Sequence, residues 1–332
     1  MSTLQDAYSL HHAGRLDEAE QSYRGWLSQN PDDADALHLL GTLRHQLGDD
    51  SEALSLIARA YELQPDNPHL ILSHATMLRQ EGDLAAASLA YYRALELDSN
   101  LGGAHVGLGQ LALDRDDAKL AEQHFRIALR AGEDGHALAG LGVIALAGDD
   151  SEAAVRYLTR AAELVPDYSM IQFLLGQAFS KRGLSAFAET ALNNALRLQP
   201  DLHAARVWLA EVLLKDNRPA EARPHYQALL SVPGHEVVAQ IGLGDADRME
   251  ELYEQAITHY RAALAIEPKL SSPTRMLAWI LATLGRSNEV IAAYDAYLAV
   301  VPDDADMRQL RDDVWNLVNA TGDDGNEAGS QA

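Results

Sequence analysis

The chain has 332 residues, with 26 Lys and Arg against 49 Asp and Glu, a formal net charge of −23. That balance suits neither a phosphate backbone nor an anionic bilayer surface, so no nucleic acid partner and no membrane insertion are expected. There is no cysteine, which excludes disulfides, thiolate metal sites and thiol nucleophiles, while 47 % hydrophobic residues suffice for a packed core. The opening MSTLQDAYSLHHAGRLDEAE has neither a basic n-region nor an apolar h-region. No apolar run approaches the ~20 residues of a membrane span. A soluble, cytoplasmic protein is the expectation.

From the N-terminus onward one small residue recurs in similar contexts: Ala19, Ala53, Ala87, Ala121, Ala154, Ala188, Ala222, Ala256 and then Val290. The steps are 34 residues, with a single step of 33. Gly41, Ala75, Gly109, Gly142, Gly176, Ala210, Gly244 and Ala278 keep the same step. So does a large apolar series: Tyr23, Ile57, Tyr91, Phe125, Leu158, Leu192, Tyr226, Tyr260 and Tyr294. Pro31, Pro65, Pro166, Pro200, Pro268 and Pro302 close six of the nine units.

Each unit has the periodicity of two amphipathic helices. In the second, Leu37, Leu40, Leu43 and Leu47 form one stripe, and Gly48-Asp49-Asp50-Ser51 breaks it. Ala53, Leu54, Ile57, Ala60 and Tyr61 then begin another, with Asp50 or Ser51 as the expected N-cap. Pro65 ends the second helix. Helix axes approach closely only across Gly or Ala, so one small residue per helix sets the crossing.

These registers resemble the tetratricopeptide repeat, with its small residue at position 8, Ala at 20, an aromatic or apolar residue at 24, Ala at 27 and Pro at 32. The resemblance places nine units at 1–33, 34–67, 68–101, 102–134, 135–168, 169–202, 203–236, 237–270 and 271–304. It implies an all-α fold, a right-handed superhelical solenoid. Residues 305–320 carry Met307, Leu310, Val314, Leu317 and Val318 on one face, as a capping helix needs, and 321–332 are expected to be a disordered acidic tail. A cap and tail of this kind argue against a truncated chain. Trp26, Val290 and Tyr297 replace the usual alanines in the terminal units, where the demand for small residues relaxes. Arg-rich, Lys-poor and Ala-rich usage suggests a GC-rich bacterial genome.

Motifs of chemistry give way to this frame. Gly107-Leu-Gly109-Gln-Leu-Ala112 and Gly140-Leu-Gly142-Val-Ile-Ala145 imitate a dinucleotide fingerprint, but no strand precedes either. They are packing glycines. Thirteen histidines include no i, i+4 pair and no HExxH, so no metal site is expected. Asp49–Asp50, Asp116–Asp117 and Asp149–Asp150 fall at inter-helix turns, where Asp caps a helix rather than acting as a catalytic pair. There is no GxSxG elbow and no P-loop lysine among Lys119, Lys181, Lys215 and Lys269. No enzyme activity and no cofactor are expected.

The resemblance also implies that positions 2, 5, 9, 12 and 13 of each first helix line a concave face. In the early units these are polar: Asp35, His38, Thr42, His45, His69, Thr76 and Arg79. From the fourth unit on, many are apolar: Val106, Leu113, Val143, Leu146, Met170, Phe173, Val207, Leu214, Val238, Ile241 and Trp279. Either they form a groove for an apolar partner segment with basic flanks, or some pack between helices. Gly107 and Gly140, at position 6 of adjacent units, mark a hinge, a close approach of a ligand backbone, or plain repeat drift.

The carboxylate clamp that holds chaperone C-termini is absent, since its Lys/Asn pair is replaced by His38/Thr42, Leu72/Thr76, Val106/Gln110 and Phe173/Gln177. The asparagine ladder of O-linked GlcNAc transferases is absent too, position 6 holding Leu39, Ser73, Gly107, Gly140, Leu174, Trp208, Gly242 and Met276. No sequence remains for the helix-turn-helix domain of the peptide-pheromone regulators. The expected function is a non-enzymatic scaffold or adaptor that captures a partner protein segment. The alternative is a substrate-recruiting adaptor of a larger enzyme assembly, such as a glycosyltransferase or sulfotransferase system.

Overall fold

Small residues at fixed steps let helix pairs stack, and the computed structural model, which describes residues 3–323, consists of such pairs. Nineteen helices and no strand occur among the described residues. They divide into two compact units, the first reaching Pro166 and the second beginning at Asp167.

In the first unit, α1 (Leu4–His12) pairs with α2 (Leu16–Gln29), α3 (Ala34–Gln46) with α4 (Asp50–Leu63), and α5 (Pro68–Gln80) with α6 (Leu84–Leu97). Next, α7 (Gly102–Asp114) pairs with α8 (Ala118–Ala131), and α9 (Gly135–Ala147) with α10 (Ser151–Leu164). In the second unit, α11 (Ser169–Lys181) pairs with α12 (Ser185–Leu198), α13 (His203–Lys215) with α14 (Pro219–Leu229), and α15 (Glu236–Met249) with α16 (Tyr253–Ile266). The last pair is α17 (Ser271–Thr283) and α18 (Ser287–Leu298), followed by α19 (Ala305–Asp323). The capping helix therefore runs past residue 320. Beyond Asp323, the expected disordered tail lies outside the described residues.

Within each unit every second helix also packs on the first helix that follows it, and first helices touch across repeats, as in α5·α7, α7·α9, α11·α13 and α13·α15. That close approach makes the first helices the inner layer of each stack. The alanines at position 20, from Ala19 to Ala256, are all fully buried. Their neighbours at position 24 form the cores, with Tyr23, Phe125, Leu158, Leu192 and Tyr260 equally inaccessible. In the last repeat Val290 and Tyr297 are buried as well, because Met307 of α19 joins the same core and the Tyr297 hydroxyl donates to Asp304 at 3.0 Å.

The caps differ from expectation by one residue in the second repeat. Asp49, not Asp50 or Ser51, caps α4, accepting the Glu52 N–H at 3.1 Å. Asp117 and Asp150 likewise accept the N–H groups of Leu120 (3.0 Å) and Ala153 (2.9 Å). The preceding residue of the turn adopts a left-handed conformation in every repeat. It is Gly14, Gly48, Gly82, Gly183 or Gly285 in five repeats, and Asp116, Asp149, Asn217 or Glu251 in the other four. Glutamate has neither glycine's freedom nor the short side chain that eases Asp and Asn into this region. Glu251→Gly is expected to raise stability by about 1 kcal/mol, read as a higher urea midpoint with unchanged slope.

Ion pairs stitch consecutive repeats together. Arg59–Asp32 (2.8 Å), Arg93–Asp66 (3.0 Å) and Arg160–Glu133 repeat one geometry on the outer surface, where each is worth little alone. A more buried bridge recurs with its sign reversed. In the first unit Glu20 of α2 meets Arg44 of α3 at 3.2 Å, and in the second Arg223 of α14 meets Asp247 of α15. Both bridges span 24 residues of sequence.

Candidate functional site

The inner layer of the second unit carries the apolar row. Valine, leucine and isoleucine at i, i+3, i+4 and i+7 share one helix face. Val207 and Leu214 of α13 and Val238 and Ile241 of α15 are partly exposed on such faces. Met170 of α11 is 38 % exposed and Trp279 of α17 50 %, the indole edge-packed on Tyr253. Phe173 departs from the groove expectation. It is 8 % exposed and packs with Leu192, Leu209 and Leu213, because a ring on this face reaches back between the helices.

Between the apolar residues stand two carboxylates that the hydrophobic pattern concealed. Glu211 lies on α13 between Val207 and Leu214, and Asp245 on α15 four residues after Ile241. Burial raises the Glu211 carboxyl above its ordinary range, with Lys215 opposing. Asp245 accepts the Tyr260 hydroxyl at 2.6 Å. Tyr226 feels both charges, and burial together with those carboxylates pushes its phenol well upward. The face is thus apolar with an acidic seam.

The first unit differs. Val106 (8 % exposed) sits in a core with Phe125 and Leu141, and Leu113 packs against the same core. Leu146 is 9 % exposed and Val143 partly buried. Val106 and Leu146 are therefore packing residues rather than exposed groove wall. Gly107 and Gly140 mark a close approach, but the approaching group belongs to the chain. A Cβ at Gly107 would lie 2.2 Å from the Tyr91 ring, and one at Gly140 2.3 Å from the Phe125 ring. The rings of Tyr91 and Phe125 thus exclude any side chain at these two places, and Gly242 faces Tyr226 in the same way.

The polar row is tied into local bonds. His38 Nε2 is 2.8 Å from Ser73 Oγ, and burial lowers the pKa of its imidazole. The Thr42 hydroxyl donates to the His38 carbonyl at 3.0 Å. His45 Nδ1 is 2.5 Å from Asp50, and its other nitrogen is 3.4 Å from Gln80. His69 is exposed; Arg79 is partly buried, and its Nε has no hydrogen-bond partner. Elsewhere His105 and His124 face each other with Nδ1 atoms 3.1 Å apart, burial lowering the pKa of both. Among the described residues no three His, Asp or Glu converge as a metal site would require.

At the N-terminal end a cavity of about 610 Å³ opens between α1, α2 and α3. Leu4, Tyr8, Trp26, Asp35, His38 and Leu39 are among its lining residues. The sequence signal for it is Trp26, which stands where inner repeats place alanine.

Antiparallel helix pairs with small residues at their crossings define a repeat scaffold. Tetratricopeptide repeat profiles match residues 10–72, 106–169, 139–200 and 173–236, and the chain belongs to the tetratricopeptide repeat family. It is 35 % identical over 85 residues to a probable biofilm formation methyltransferase, WspC, of Pseudomonas putida, covering 26 % of this chain and 20 % of that protein. It is 27 % identical over 248 residues to cellulose synthase operon protein C of Xanthomonas axonopodis pv. citri, covering 70 % of this chain and 16 % of that protein. The chain thus spans a fifth or less of the length of these curated relatives. The crystal structure of an APC/C hetero-tetramer, Cut9–Hcn1, shares the fold with a TM-score of 0.61 at 18 % identity, over 91 % of this chain and 60 % of that one. Among the described residues no helix is long and apolar enough to cross a membrane.

Proposed function

We propose that the protein is a non-enzymatic scaffold that captures a segment of a partner protein on the inner face of its second unit. The observation that carries this reading is the row of partly exposed Val207, Leu214, Val238 and Ile241, ending at a half-exposed Trp279. Apolar side chains at helical spacing, interleaved with Glu211 and Asp245, suit an apolar segment with basic flanks. The net charge of −23 steers such a partner inward and repels nucleic acid.

Phe173 is unsuitable for testing this face, since its replacement would damage the core. Val207 packs against that same core, so Val238→Asp and Ile241→Asp are the informative changes. Capture from native lysate by the tagged full-length protein, at low and high salt, is expected to yield a partner that each variant loses. Helical circular dichroism should remain. A partner retained by both variants would move the site elsewhere.

A second reading, a substrate-recruiting adaptor of a larger enzyme assembly, draws on the two curated relatives, a probable methyltransferase and a cellulose synthase operon protein. Co-purification with a glycosyltransferase, sulfotransferase or methyltransferase subunit would favour it.

A further inference from the structure

The N-terminal cavity is walled by a large aromatic residue where most repeats carry alanine. At the position of Trp26, the next five repeats carry Ala60, Ala94, Ala128, Ala161 and Ala195, each no more than 1 % exposed and pressed between helices. An indole in such a place would overfill the junction. Here it is only partly buried, and its N–H donates to Asp33 Oδ2 at 2.8 Å. That bond fixes the ring and uses its single donor, so what Trp26 offers the cavity is a π surface. Tyr8, 40 % exposed, adds a second ring, steadied edge-on against His12 at 4.4 Å. Leu4 and Leu39 complete an apolar sleeve.

The charge in the wall has no salt-bridge partner: Asp35 is exposed and has neither a hydrogen bond nor an ion pair among the described residues. The other carboxylates near this end are committed: Asp6 accepts the Thr3 N–H at 2.7 Å, and Asp33 holds both Trp26 and the Ala36 N–H. The His38 ring is held against Ser73, and burial lowers its pKa although the nearby Asp35 charge acts to raise it, so His38 is a weak cation for Asp35. Two aromatic rings, an aliphatic sleeve and one unpaired carboxylate are the complement of a cation on an apolar stem.

We propose that this cavity seats an arginine side chain of a partner protein, the guanidinium stacked on Trp26 and Tyr8 and paired with Asp35. This rests on the reading of the protein as a binder of protein segments and specifies the chemistry of one contact. Arginine fits better than lysine, since a planar guanidinium both stacks on rings and bonds a carboxylate. The volume of about 610 Å³ exceeds one side chain and leaves room for a flanking residue.

The test uses the full-length protein labelled with ¹⁵N on its tryptophan indoles, with the Trp26 resonance assigned through Trp26→Phe. The probes are the capped tripeptides Leu-Arg-Leu and Leu-citrulline-Leu, citrulline being the uncharged isostere of arginine. The arginine peptide is expected to shift the Trp26 indole saturably, and the citrulline peptide to bind at least about tenfold more weakly. Asp35→Asn should weaken the arginine peptide by about tenfold and leave the citrulline peptide unchanged. Asp35 is exposed, so unchanged circular dichroism will show that the variant folds. Equal binding of both peptides would mean an apolar subsite and overturn the proposal, as would an unmoved Trp26 resonance. Val238→Asp and Ile241→Asp do not touch this cavity, so arginine binding retained in those variants separates failure here from failure of the apolar face.

Discussion

Gly140→Leu is expected to lower stability by about 3 kcal/mol, and Phe125→Leu to reverse much of that loss. The Phe125 ring is fully buried between two glycines of successive first helices. A Cβ on Gly140 would lie 2.3 Å from Cζ, and one on Gly109 2.6 Å from Cε1, so the ring cannot retreat from one without striking the other. Shortening the ring to leucine creates the space that a side chain at 140 needs. Two junctions make such an exchange, Leu192 being followed by Trp208 at the corresponding position and Ile57 by Ser73, whereas Tyr23 with Leu39 and Tyr260 with Met276 combine two large side chains. Urea unfolding of the two single variants and the double variant measures the coupling. Additive losses would mean that the contact does not govern this junction.

Arg223→Met is the second change with a large expected effect, about 3–5 kcal/mol. Asp247 is completely inaccessible, and Arg223 is its principal cation, with His259 Nε2 3.5 Å away and tied to Gln240 through its other nitrogen at 2.7 Å. The bond to Asp247 holds the guanidinium more firmly protonated than usual. Removing it leaves a carboxylate in an apolar setting with only an imidazole beside it. Replacing both partners, as Arg223→Met with Asp247→Leu, is expected to recover most of the loss, because neither residue then carries a buried charge. Thermal melts of the three variants provide the check. A double variant no more stable than Arg223→Met would show that Asp247 is held chiefly by other groups.

The helix pairs were legible because each rests on residues whose size alone matters. Ala19 through Ala256, Gly41 through Gly244 and the apolar series from Tyr23 to Tyr294 report packing directly. Inner-face exposure was less legible. Phe173 and Val207 occupy equivalent positions and have similar hydropathy, yet one fills a core and the other stands partly free, because side-chain length decides how far a residue reaches between helices. Gly107 and Gly140 could be read as a hinge or a close approach, and only the rings of Tyr91 and Phe125 in the preceding repeats distinguish these. Trp26 was visible as a departure from alanine and Asp35 as a polar concave-face position, but nothing periodic brought Tyr8 to the same cavity. Asp247 was hidden for a similar reason, since its partner Arg223 lies on another helix and no periodic pattern links them.

The reversed polarity of the Glu20–Arg44 and Arg223–Asp247 bridges bears on how such an array can change length. Tandem repeats invite unequal recombination, which removes or adds whole units while preserving every helix. A deletion joining the first repeat directly to the eighth would set Glu20 against Asp247, two carboxylates at a buried crossing. The reciprocal product would set Arg223 against Arg44. Either join keeps the size pattern intact yet places like charges where the native chain has opposite ones, so these two junctions select against loss or gain of the repeats between them.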